Sequence, residues 1–223
     1  MKQRIKGNIA RQTKVYWEHL ALLSLKYFGY NIDNFTDGES IEKPDLQNEK
    51  ENIGVEVVQA IFQENEDIRG YRKKYIKSYM PLQQITKCLS EKGYEKNIIT
   101  SKGEFRGIVL EIKYVSDVIN IVCEKIKEKI QKKQQYKPFK TYGLYIFLDR
   151  YASKLLYKDI KILLKEIQKI NGYKEFNYYF INSYEHQFCI NTHTSEISTI
   201  IIPNQDRQKI IEQALLFELN NIM

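Results

Sequence analysis

The sequence predicts an α/β fold, a mixed central β-sheet flanked by helices, built as one domain over residues 1–223. Three observations predict it. Helical and strand patterns alternate through the second half of the chain, which is how layered α/β proteins read. A polar QNEKEN segment (47–52) joins two short runs that read as a β-hairpin, so part of the sheet is antiparallel. An amphipathic stretch over 116–134 is followed by the strongly apolar 142-YGLYIFL-148, a helix that covers a central strand.

The elements follow in order. Asn8 caps a helix that runs to about Tyr27, with Gly29 just past its end. Tyr16, Leu20, Leu23 and Tyr27 form one apolar stripe and Val15, Leu22 and Leu25 another, so this helix is expected to be largely buried. Residues 32–38 read as a loop or an irregular edge strand, and 39–47 and 53–61 as the hairpin strands. Polar residues 62–79 read as a helix, and Pro81 opens a second one. The 101–107 stretch reads as a loop and 108–114 as a strand. Ser116 is the expected cap of the 116–134 helix, whose core stripe is Ile119, Val122, Ile126 and Ile130. After 142–148 come a helix over 155–169, strands near 176–181, 187–191 and 197–202, and a helix over 204–219.

With 43% hydrophobic residues the chain can bury a sizeable core. The 35 basic residues exceed the 28 acidic ones, a net charge of +7 that favours a polyanionic partner. Cys88, Cys123 and Cys189 lie far apart with no CxxC, which points to a reducing cytoplasm and away from a zinc site. The basic start lacks the apolar run of a signal peptide. No stretch approaches the roughly 18 apolar residues of a membrane span. A phosphate-cradling Gly-rich loop is absent, as are helix-turn-helix and zinc-finger patterns.

Chemistry concentrates in 42-EKPDLQNEKENIGVEVVQAI-61, where Glu56 sits inside an apolar strand and Asp45 just upstream. The hairpin brings the two carboxylates side by side. Like charges so close cannot both ionise cheaply, so either a proton or a cation must intervene. A hard divalent ion such as Mg²⁺ suits two carboxylates plus water and phosphate oxygens. Other roles stay open: Glu18 pairing with Lys14 four residues earlier, Asp45 starting a turn, and Glu56 facing a cross-strand lysine.

Pro44-Asp45, ten intervening residues and Glu56-Val57-Val58 resemble the signature of the PD-(D/E)xK nuclease superfamily, a Pro-Asp followed after a spacer by acid-x-Lys. The resemblance implies a restriction-endonuclease-like α-β-β-β-α-β core over about 8–148 with a C-terminal α/β extension over 149–223. It implies Mg²⁺ or Mn²⁺ held by Asp45 and Glu56, with Glu18 on the preceding helix as a third acid. It also implies metal-assisted phosphodiester hydrolysis. The chain departs from the pattern at Val58, where the family carries its lysine. Lys43 or a lysine on the 117–134 helix is the candidate replacement. Without one, the alternative is a catalytically inactive module that binds nucleic acid or a protein partner in phage–host defence. Glu111-Ile112-Lys113 is a rival acid-x-Lys, but it has no upstream Pro-Asp.

Two basic segments carry aromatic residues, as phosphate contact plus base stacking would require: 72-RKKYIK-77 and 125-KIKEKIQKKQQYKPFK-140. Arg69, Arg72, Lys73 and Lys77, with Tyr71 and Tyr75, are the preferred nucleic-acid contacts, and DNA is the preferred partner. A homodimer stays open.

Overall fold

The computed structural model describes residues 13–37, 44–76, 79–94, 97–108, 113–148 and 154–222. It is a mixed α/β protein. One seven-stranded sheet runs in the order β1 (Thr36–Asp37), β2 (Leu46–Asn48), β3 (Ile53–Ala60), β6 (Thr141–Leu148), β7 (Tyr178–Ser183), β8 (His186–Asn191) and β9 (Ile197–Ile201). β3, β6 and β7 are mutually parallel, and the outer pairings are antiparallel. β6 reads as an unbroken apolar run because it is the middle strand of the parallel set and is covered on both faces.

The period of two along β6 divides two cores. Tyr142, Leu144 and Ile146 point into a layer with α4 (Val115–Lys133) and α5 (Tyr157–Gln168), built on Val122, Ile126, Ile160, Leu163 and Ile167. Tyr145 and Phe147 point into the opposite layer with α1 (Lys14–Leu25) and α6 (Asn204–Ile222), beside Tyr16, Leu20, Leu25, Ile210 and Ala214. Fully buried side chains such as Leu144 and Ile146 each contribute on the order of 2 kcal/mol. β7, β8 and β9 continue the same sheet, and α5 and α6 cover both of its faces.

Between β3 and α4 the chain makes a satellite of α2 (Gln63–Tyr75), α3 (Leu82–Ser90) and a hairpin of β4 (Ile98–Ser101) with β5 (Glu104–Ile108). It has its own small core of Ile68, Tyr75, Ile85, Leu89, Phe105 and Ile108.

The structure corrects several expectations. Asn8 lies outside the described residues, and α1 starts at Lys14 with Thr13 before it. The backbone N–H of Thr13, just ahead of the helix, donates to Glu218 Oε1 of α6 at 2.6 Å. Gly29 does end the segment, at φ 87°, after a 3-10 turn over Lys26–Phe28. The first hairpin strand is the short β2 rather than 39–47, of which 39–43 lie outside the described residues. Helix α4 starts one residue before Ser116, and Asp117 takes the Tyr114 N–H at 3.1 Å. The stretch read as a loop at 101–107 is half of the β4–β5 hairpin. Lys102 and Gly103 make its turn at φ 52° and 73°. Of the strand placed at 108–114, Ile108 belongs to β5, and 109–112 lie outside the described residues. Among the described residues no helix is long and apolar enough to cross a membrane.

Candidate active site

The hairpin registers Leu46 against Val55 and Asn48 against Ile53. Asn52, at φ 57°, closes the turn. The same turn anchors the approach to β6, because Asn52 Oδ1 accepts from Lys140 N at 2.7 Å and Asn52 O from Thr141 N at 3.1 Å. Gly54 is required by a close approach. A Cβ there would meet Pro44 Cγ at 2.7 Å and the Phe139 ring at 3.0 Å. The missing side chain is what lets the Pro-Asp step lie against β3.

β2 begins at Leu46, so β3 runs on past its partner. Asp45 fills the gap: its Oδ2 accepts the Val57 N–H at 2.8 Å. Its Oδ1 meets Lys14 Nζ of α1 at 2.7 Å, and the same ammonium stands 3.1 Å from Glu18 Oε1. Glu56, 4% exposed, faces the other helix layer, as do Val58 and Ala60 of the same strand face. Lys129 of α4 makes an ion pair and hydrogen bond to Glu56 Oε1. The Tyr136 hydroxyl also faces that carboxylate.

The three acids expected to gather do influence one another. Burial, then the Asp45 charge, push the Glu18 carboxyl up to about 7, with Lys14 opposing. Burial, then Asp45, also raise the Glu56 carboxyl, against Lys129 and Tyr136. Burial works against the Lys14 charge, but Asp45 and Glu18 outweigh it and raise that ammonium. Asp45 thus stands between Glu18 and Glu56 at the edge of β3, with one lysine from each helix layer. The Tyr136 hydroxyl is pushed up by burial and by the Glu56 charge.

Glu56 Oε2 is buried and completes no hydrogen bond among the described residues, while the buried Glu18 Oε1 has the Lys14 ammonium at 3.1 Å. Carboxylate oxygens of this kind beside Asp45 have the hard donor chemistry that suits Mg²⁺ or Mn²⁺. As the side chains stand, the described residues hold no group of three or more His, Cys, Asp or Glu placed around one ion. The Lys14 ammonium occupies Asp45 Oδ1 instead, on a side chain 71% exposed. Cavities lined by other residues lie elsewhere, and none of Lys14, Glu18, Asp45, Glu56 and Lys129 lines them.

Among the sites read from sequence, Lys43, Glu111 and Lys77 lie outside the described residues, as do the side chains of Arg69, Arg72 and Lys73 on α2. Tyr75 is buried in the satellite core, within 6.1 Å of the Phe105 ring, so it is not a free stacking platform. Tyr71 stacks on Tyr75 and tilts against Tyr94. In the 125–140 segment, Lys125 pairs with Glu128, Lys133 with Glu175 and Lys137 with Glu49, so much of this charge is spent inside the chain. Lys113 of the rival motif pairs with Glu64. Sequence reasoning missed Tyr136 and the Lys14–Asp45 contact. Tyr136 lies in the turn after α4 ends at Lys133, off the helical stripe, so no periodic signal in the sequence marked it. No family model matches the chain, and no curated protein or solved structure matches it.

Proposed function

We propose that the chain is a metal-dependent nuclease-like protein that hydrolyses nucleic-acid phosphodiesters. The observation that carries this reading is Lys129 on the Glu56 carboxylate. Positions 56 and 58 of β3 face α4, so an ammonium arriving from that helix can stand in for one missing from the strand at Val58. The order of elements supports it as well: α1, then β1 to β3, then α4 and the parallel β6, with the satellite inserted between. That is the α-β-β-β-α-β succession of the PD-(D/E)xK proteins the motif resembles.

In this reading Asp45 and Glu56 bind the metal, and Glu18 adds a third oxygen ligand or holds a proton. The chemistry such an ion supplies is activation of a water and neutralisation of charge on the phosphate. Glu18 titrates close to neutrality, where a carboxyl can both take and return a proton. Lys129 holds Glu56 in place and brings positive charge to the attacked phosphate. Lys14 keeps Asp45 neutralised until a ligand displaces it.

The test is nicking of supercoiled DNA and cleavage of RNA in Mg²⁺ or Mn²⁺. Asp45→Ala and Glu56→Ala should abolish cleavage while the chain stays folded by circular dichroism. A variant of either kind that cuts at the wild-type rate overturns the reading.

A second reading, an inactive module that binds nucleic acid or a protein partner, draws on one observation. Asp45 and Glu56 already have cations of the chain's own, Lys14 and Lys129. Thermal midpoints measured with and without Mn²⁺ separate the two: a shift that Asp45→Ala removes favours the enzyme, and none favours the module.

A further inference from the structure

A cavity of about 480 Å³ opens between α1, α6 and the carboxyl-terminal ends of β6 and β7. None of Lys14, Glu18, Asp45, Glu56 and Lys129 lines it. Its volume falls in the range of small-molecule sites, and the carboxyl ends of parallel strands are a favoured place for them.

The floor is one rung of the sheet, where Phe147 registers with Asn182 and Asn182 with Gln187. Gln187 is 2% exposed, and an amide that deep is costly unless it is bonded. The buried Tyr145 hydroxyl donates to Gln187 Oε1 at 3.1 Å and accepts from Asn182 Nδ2 at 3.2 Å. This relay involves one end of each amide; the other ends, the donor Gln187 Nε2 and the acceptor Asn182 Oδ1, belong to residues that line the cavity side by side on paired strands.

An aromatic wall stands on the floor: the Trp17 ring lies 4.9 Å from that of Phe147. At the other side the Arg207 guanidinium lies 4.4 Å over the Tyr184 ring, with Lys154 Nζ 4.9 Å from the same ring and 3.5 Å from Glu185 Oε1, an ion pair that an incoming phosphate has to displace. Arg207 Nη2 donates to Asn204 Oδ1 at 2.8 Å. Its Nη1 is buried with no hydrogen-bond partner among the described residues. A guanidinium nitrogen desolvated in this way calls for an anionic acceptor.

We propose that this cavity binds a mononucleotide, its base against Trp17 and hydrogen-bonded by Asn182 and Gln187, its phosphate held by Arg207 and Lys154. Each part has its match. Two cations suit a phosphate better than a single carboxylate. A side-chain donor and acceptor side by side suit the edge of a nucleobase. An indole face suits its ring. This site is independent of the hydrolytic reading, and its test uses no cleavage.

Trp17 is the only tryptophan of the chain, so its emission reports on the cavity directly. The intact protein is titrated with AMP, GMP, CMP and UMP, and with the matching nucleosides and inorganic phosphate. The expected result is a saturable change in emission with at least one nucleotide, with Kd below about 1 mM. The nucleoside and phosphate alone should bind about tenfold or more weakly, and Arg207→Gln should weaken the nucleotide by about tenfold. Three results each overturn the proposal: unchanged emission with all four nucleotides, phosphate binding as tightly as the best of them, or undiminished binding to Arg207→Gln. If Arg207→Gln does not fold, Asn182→Leu decides: the four affinities should converge, and unchanged preference among the bases refutes the site.

Discussion

Lys129 holds the charge balance at the candidate site. It comes from a helix whose neighbouring Ile126 and Ile130 are buried, so its Nζ is delivered to Glu56 by packing rather than by a flexible reach. Lys129→Met leaves Glu56 buried without its cation. It should cost about 2–4 kcal/mol at pH 8, read by urea denaturation, and less as pH is lowered, because burial and the Asp45 charge favour the protonated Glu56 carboxyl. Glu18 titrates in the opposite sense to an ordinary paired acid. Its carboxyl is raised from 4.5 to about 7, so between those values the folded chain holds a proton that the unfolded chain has released. Stability from this group is therefore greatest below the lower value and falls as pH rises to the upper one. Glu18→Gln should be more stable than wild type at pH 8 by about 1–2 kcal/mol, allowing for solvent screening, and indistinguishable from it at pH 4. Thermal midpoints across that range check it.

Single elements place the site by their ends and edges. The first two turns of α1 carry Lys14 and Glu18, and Thr13 at its start is tethered by the fully buried Glu218 of α6. Glu218→Ala removes that anchor and should cost about 1–2 kcal/mol. It should also lower metal-dependent cleavage, since both side chains ride on this end of the helix. In the hairpin, Gly54→Ala drives a Cβ into Pro44 and Phe139 and should cost about 1–3 kcal/mol, with a loss of cleavage as Asp45 leaves Val57. Denaturant midpoints and nicking rates follow both variants. The β4–β5 hairpin shows an available signal that went unused. Lys102-Gly103 is a two-residue turn, and Phe105 is buried between the exposed Glu104 and Arg106 with the period of a strand. Its strands carry so little apolar surface that composition made them look like loop.

At the scale of the whole molecule, the +7 net charge is less available than it looks. Lys125, Lys129, Lys133 and Lys137 all meet acids of the same chain. If nucleic acid is held chiefly by Arg69, Arg72, Lys73 and Lys77, the logarithm of affinity should fall with the logarithm of salt at a slope of about −4 or shallower. Filter binding between low and moderate salt measures it, and an affinity indifferent to salt points to a protein partner instead.

By itself the sequence determined the mixed α/β class, a hairpin across residues 47–52, the central strand 142–148 and its covering helix, because periods of two and of three to four are set by local backbone geometry. It also singled out Glu18, Asp45 and Glu56, since an acid in an apolar strand is costly and so stands out. Tertiary structure alone decided that Lys129 rather than another lysine meets Glu56, that Lys14 bridges Asp45 and Glu18, and that Tyr136 joins them. Residues 56 and 129 lie far apart in the chain, and which lysine of a helix full of them faces a given strand depends on how α4 rotates onto the sheet. That rotation is settled by the summed packing of Val122, Ile126 and Ile130 against β3 and β6.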